Sequence, residues 1–83
     1  MKLKELLEND YLMNNVYRII IKDGHYPLSI YKKDLDLNDI YENWYSEDLE
    51  IVDYEFKEED SVSHNLILCI NVDNSKYWSE IYD

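Results

Sequence analysis

The amino-acid sequence predicts an α+β domain: a small antiparallel sheet of about four strands packed by short helices, in the order α-β-β-α-β-β-α. Three observations predict it. Two β-rich runs flank the dipeptide Asp23-Gly24, a pair suited to a tight hairpin turn. Two further strand-like runs, "IVDYEF" and "NLILCINV", are separated by the turn-type segment "SVSHN". Leucines or aromatic residues at helical spacing stand at the start, middle and end of the chain. Short strands joined by tight turns pair antiparallel and need helices to cover one face. The 83 residues fit one domain, 1–83, with one modest core. A domain of this size has a stability of roughly 4–12 kcal/mol.

Each element has its own signal. In "KLKELLEN", Leu3, Leu6 and Leu7 recur at helical spacing, so a short amphipathic helix is expected to end near Asn9 and Asp10. "YLMNN" then reads as a connection. In "NVYRIIIKDGHYPLSIYKK", a two-residue turn places Lys22 opposite His25. Ile21 then faces Tyr26, Ile19 faces Leu28 and Tyr17 faces Ile30, all on one side of the ribbon. Val16, Arg18, Lys22, His25, Ser29 and Tyr31 occupy the other side. Pro27 has no N–H to donate and marks an edge or an irregularity.

Leu37, Ile40, Tyr41 and Trp44 follow i, i+3, i+4, i+7, with Asp36 or Asn38 as cap, which predicts a helix over 37–46 with Trp44 in the core. The next strand alternates Val52, Tyr54 and Phe56 against Asp53, Glu55 and Lys57. The strand after it turns Leu66, Leu68, Ile70 and Val72 inward. Ile67 and Cys69 make its other face partly apolar, as a central strand requires. Asp73 and Asn74 are cap-type residues. Tyr77, Trp78, Ile81 and Tyr82 after them predict a short C-terminal amphipathic helix.

Charge excludes several function classes. The net charge of −11 opposes nonspecific binding to nucleic acid or to an anionic membrane, both of which need Lys and Arg. The charge is uneven: residues 1–42 hold six bases and eight acids, whereas residues 43–83 hold two bases and eleven acids. Such asymmetry steers positively charged partners, although acidity of this kind also serves solubility alone. At 46% apolar residues the chain is too hydrophobic for a disordered acidic tail. Its one cysteine, Cys69, allows neither an intrachain disulfide nor a metal-type cysteine pair. "MKLKELLEND" lacks the apolar core of a signal peptide, and no run approaches the roughly 18 apolar residues of a membrane span. A cytoplasmic protein is expected.

Candidates for chemistry are few, and no enzyme is expected. A catalytic site needs a nucleophile or base and a partner that tunes it. His25 follows the turn glycine; His64, Ser61 and Ser63 lie in the "SVSHN" turn; Cys69 sits in an apolar strand, where a thiol acts as a small hydrophobe. Asp34, Asp36 and Asn38 begin like a calcium loop, but Asp39 stands where glycine is needed and Tyr45 where a bidentate glutamate is needed. A helix N-terminus rich in acids explains them as well. Gly24 is the one glycine, so no glycine-rich phosphate loop exists. Neither a metal nor a cofactor is expected.

Interaction is the remaining class. "YENWYSEDLEIVDYEFKEED", residues 41–60, holds nine acids, one lysine and five aromatic residues. The candidate contact acids are Glu47, Asp48, Glu50, Asp53, Glu55, Glu58, Glu59 and Asp60. Asp53 and Glu55 share one side of a strand, about 6.5–7 Å apart. Phosphates along a nucleic-acid strand have a comparable separation, so such carboxylates can fill a groove lined by Lys and Arg. Aromatic residues beside acids, here Tyr45, Trp78, Tyr77 and Tyr82, suit a basic and partly apolar surface. Core packing on amphipathic helices explains Trp78 as well.

The opening "KLKELLEN", the hairpin "VYRIIIKDG", the acidic "VDYEF" and the closing "NLILCINV" resemble small acidic proteins from phages and mobile elements of low-GC Gram-positive bacteria. The chain is similar to anti-CRISPR proteins in size, charge and α+β pattern. That resemblance implies an inhibitor that occludes the DNA- or RNA-binding surface of a CRISPR nuclease-like host protein by nucleic-acid mimicry; it transfers no residue roles. The alternatives are an immunity protein or antitoxin neutralising a basic toxin, and a sponge protein for a small ligand.

Overall fold

The two strands that contain fully buried residues take the centre of a four-stranded sheet in the computed structural model, which describes residues 1–24, 27–58 and 65–73. They are β1, Val16–Lys22, and β4, Leu66–Val72. The less buried strands, β2, Leu28–Tyr31, and β3, Ile51–Glu58, lie outside them in the order β2-β1-β4-β3. The helices are α1, Leu3–Leu7, α2, Asp10–Met13, and α3, Leu37–Asn43, with a 3-10 turn at Lys32–Asp34. The class is α+β, as the sequence predicts. The predicted C-terminal helix lies outside the described residues.

One feature of the sheet corrects the expectation. Both hairpins are antiparallel, but the central β1–β4 pair is parallel, so the sheet is mixed. The burial demand of β4 explains the order. Its residues Leu68, Cys69 and Ile70 are all buried, so it needs a neighbour on each side. β1 meets the same need with Ile19 and Ile21, each 1% exposed. β2 and β3, which have no fully buried residue, are left at the edges.

Register sorts the side chains onto two faces. On the helix-covered face, Ile19 and Ile21 of β1 stand beside Leu68 and Ile70 of β4, and Ile30 and Leu28 of β2 complete the rows. Leu3, Leu6 and Ile40 close the core from the helices, each at most 1% exposed. Ile21 pairs with Leu28 and Ile19 with Ile30, two residues away from the register that a two-residue turn gives. The shift is even, so Leu28 and Ile30 keep their predicted side while the loop lengthens. Two bulges change the alternation. One falls between Val16 and Arg18, turning Val16 inward and Tyr17 outward. The other falls between Ile51 and Asp53 and leaves Val52 66% exposed, against its expected inward place. A bulge adds one unpaired residue and so resets which residues face the core.

The helices differ from expectation at their ends, where side chains compete for backbone groups. The Asn9 side chain accepts from the Leu12 N–H at 3.0 Å and starts a second helix, so "YLMNN" is not a mere connection and Met13 is buried. Asp36 caps α3 by accepting from the Asp39 N–H at 3.2 Å. α3 stops at Asn43 rather than 46, with the N–H groups of Trp44 and Tyr45 both reaching the Ile40 carbonyl, at 2.9 and 2.8 Å. That end turns Trp44 out, 54% exposed, and sends Tyr45 inward, 6% exposed. Trp44 is therefore not a core residue.

Gly24 holds φ at +89°, a conformation that disfavours side chains, and a Cβ placed there meets nothing within 4 Å. The cost of Gly24→Ala is therefore that of the backbone alone. It should lower stability by about 1 kcal/mol in urea unfolding, with an unchanged denaturant slope.

Candidate protein interface

The acids predicted as one surface divide into two groups. The first lies in the segment between α3 and β3. There Glu47 meets Lys4 at 3.8 Å, Asp48 meets Lys2 at 3.6 Å, and Glu50 meets the N-terminal ammonium at 3.4 Å. Backbone bonds fix the two segments together: the Leu3 N–H donates to the Leu49 carbonyl at 2.8 Å and the Ile51 N–H to the Met1 carbonyl at 2.9 Å. The signal was present in the sequence as basic "MKLK" and acidic "EDLE", but their meeting is a long-range event. These pairs are exposed, so each contributes well under about 1 kcal/mol. Their carboxylates are partly neutralised and still accessible; Asp48 is 71% exposed.

The second group is on β3. Asp53 pairs across to Asn71 and Glu55 to Cys69, which places both acids on the face away from α1 and Ile40. Asp53 accepts from the Asn71 side-chain amide at 2.6 Å, and Glu55 meets Lys57 at 3.3 Å. Glu58 pairs with Leu66 and belongs to the opposite face. Glu59, Asp60, Trp78, Tyr77 and Tyr82, expected to contribute, lie outside the described residues, as do His25, Ser61, Ser63 and His64.

The face that carries Asp53 and Glu55 is ordered by the strand registers. One row runs Tyr31, Arg18, Ile67, Lys57; the next runs Ser29, Ile20, Cys69, Glu55; the third joins Lys22, Asn71 and Asp53. Arg18 donates to the Ser29 hydroxyl at 2.7 Å and lies 5.9 Å from the centre of the Tyr31 ring. Tyr17 meets that ring edge-on, with centroids 5.3 Å apart. This face is consequently divided, with the cations Arg18 and Lys22 on β1 and the acids Asp53 and Glu55 on β3, where Lys57 stands beside Glu55. Negative charge is a property of the β3 edge and the segment leading into it.

Aromatic residues accompany that edge, but not all those predicted. Tyr54 and Phe56 pair with Ile70 and Leu68 on the helix side, yet remain 37% and 38% exposed. Their rings pack edge to face at 5.9 Å. Tyr45, expected as a partner contact, is corrected: the end of α3 directs its ring into the core, where it is inaccessible.

Burial pushes the Tyr45 phenol up to about 12 from an ordinary 10.0, with the charge and hydrogen bond of Asp23 adding to it. Tyr41 is raised to about 12 as well, by burial first and then by Glu8, which accepts from its hydroxyl at 3.4 Å. A phenol pKa raised by folding favours the native state fully below pH 10, and that contribution is lost as pH rises from 10 to about 12. Urea midpoints should fall between pH 9 and pH 11, and the fall should shrink in Tyr45→Phe.

Elsewhere the acids have structural uses. Asp36 is the α3 cap, and Asp39 accepts from Asn43 at 2.7 Å. Among the described residues, no group of three or more His, Cys, Asp and Glu is placed to hold a metal ion. An open hollow of about 370 Å³ is lined by Asn38, Tyr41, Glu42, Ser46, Glu47 and Asp48. Its three carboxylates oppose a phosphorylated ligand. No helix among the described residues is long and apolar enough to cross a membrane.

Comparison with protein-family profiles, curated protein sequences and solved structures returned no match to this chain.

Proposed function

We propose that this chain is a small acidic binding protein that occupies the basic, nucleic-acid-binding groove of a partner protein and works by occlusion, without chemistry of its own. One observation carries the reading: Asp53 and Glu55 stand exposed at successive same-face positions of an outer strand, in a chain of net charge −11. The spacing of such a pair, about 6.5–7 Å, suits cationic side chains that otherwise meet successive phosphates. Glu47, Asp48 and Glu50 extend the acidic edge beyond the strand. Resemblance to anti-CRISPR proteins makes a CRISPR nuclease-like host defence protein the first partner class.

Long-range attraction should make association fast at low salt and slower as salt screens it. The test is affinity capture from a Gram-positive lysate on the immobilised chain, with and without excess duplex DNA, read by mass spectrometry. A nuclease retained without DNA and released by it supports the proposal. Absence of any basic partner, or a partner indifferent to DNA, contradicts it.

A further inference from the structure

β3 is an outer strand of eight residues, and only β4 pairs along it among the described residues. A strand at a sheet edge presents alternate N–H and C=O groups with no partner, a template for another chain. The other outer strand is less suited. β2 has four residues, follows Pro27 and leads at once into the 3-10 turn. β3 contains neither proline nor glycine, and it keeps Val52, Tyr54 and Phe56 exposed. The chain's own N-terminus adds to the beginning of this edge, through the antiparallel Lys2–Glu50 bridge and the 2.9 Å bond from Ile51 to Met1. Beyond that bridge, residues 53–58 have no described strand on their outer side.

The side chains say what sequence would fit. Opposed residues in an antiparallel pair share a face and approach to about 4.5–5.5 Å. An incoming strand therefore meets Asp53, Glu55 and Lys57 on one face and Tyr54 and Phe56 on the other. The acidic majority selects lysine or arginine at alternate positions. The two rings select apolar residues between them. A second copy of this chain fits poorly, because β3 holds Asp53, Glu55 and Glu58 against Lys57 and each whole chain carries −11.

We propose that β3 accepts an added strand from the partner: an extended segment alternating basic and apolar residues, held by backbone hydrogen bonds along residues 53–58 and by charge on the Asp53 and Glu55 face. This rests on the acidic-edge reading above and specifies how the partner is gripped. Main-chain bonds supply affinity in such an addition, while alternate side chains supply specificity.

The test uses the full chain and a short capped peptide of alternating lysine and valine, beside the same peptide with N-methylated backbone amides. Binding is followed by backbone amide shifts and hydrogen exchange. The expected result is new protection confined to alternate amides of 53–58, with the methylated peptide at least about tenfold weaker. Equal binding of the two peptides would overturn strand addition and leave the acidic edge standing as a purely electrostatic surface. No binding of either peptide at low salt also overturns strand addition, while DNA release of the captured partner decides the broader reading separately. Protection of β3 that rises with protein concentration in the absence of peptide would assign the edge to a second copy and overturn the proposal.

Discussion

Leu68→Ala should lower stability by about 2–5 kcal/mol, a large part of the total for a domain of this size. Leu68 is fully buried at the centre of β4, with Ile19 beside it on β1 and Phe56 on β3. Truncation removes transfer energy and leaves a cavity that rigid neighbours fill only in part. A loss of that size corresponds to a fall of roughly 8–40 °C in melting temperature. The neighbouring substitution Ile67→Ala is the control. Ile67 pairs with Arg18 and Lys57 on the other face and is half-buried, so about 1 kcal/mol is expected. Urea unfolding followed by circular dichroism measures both. Equal losses would mean that the two faces of the sheet are packed alike, contrary to the fold described.

Charge reversal of Asp53 and Glu55 together to lysine should weaken binding of the captured partner by roughly thirtyfold to several thousandfold. Each substitution replaces an attraction with a repulsion at a face meant for cations. Both side chains are exposed, so the fold should lose less than about 1 kcal/mol, including the lost bond from Asn71. Reversal of Asp34 and Glu42 makes the same change of net charge away from β3. It should slow association but leave dissociation nearly unchanged, since distant charges act mainly on encounter. Surface plasmon resonance separates the two rates. Equal effects of the two double variants would show that net charge matters and that the β3 edge does not.

Much of this architecture is written in local patterns. The inward face of β4 follows from strict alternation of Leu66, Leu68, Ile70 and Val72, and its central place follows from apolar Ile67 and Cys69. Asp36 announces the start of α3 because a short acceptor before an amphipathic run has few other uses. What local patterns miss is phase. Trp44 and Tyr45 exchange places because α3 ends just before them, and periodicity carried past a helix end points to the wrong side. Tyr17 and Val52 depart from alternation at bulges, which leave no mark in composition. The parallel centre is set by which apolar strands meet across the whole chain, a long-range choice that no window of residues records.

The acidic site was legible to the same extent. That Asp53 and Glu55 share a face follows from the two-residue period of a strand. Pairing of Glu47, Asp48 and Glu50 with Lys4, Lys2 and the N-terminus depends on the seating of the first three residues beside Leu49 and Ile51. The cations Arg18 and Lys22 share a face with Asp53 and Glu55 because alternation turns Ile19, Ile21, Tyr54 and Phe56 to the other side; the rows in which they meet are set by register and are visible only in the folded sheet.

Occlusion is tested most directly with the captured partner in purified form, bound to a labelled DNA duplex and titrated with this chain while anisotropy is read. The account predicts complete release of the duplex at a ratio near one chain per binding site, lost in the Asp53→Lys, Glu55→Lys variant. A ternary complex, in which the chain binds while the duplex stays in place, would contradict it.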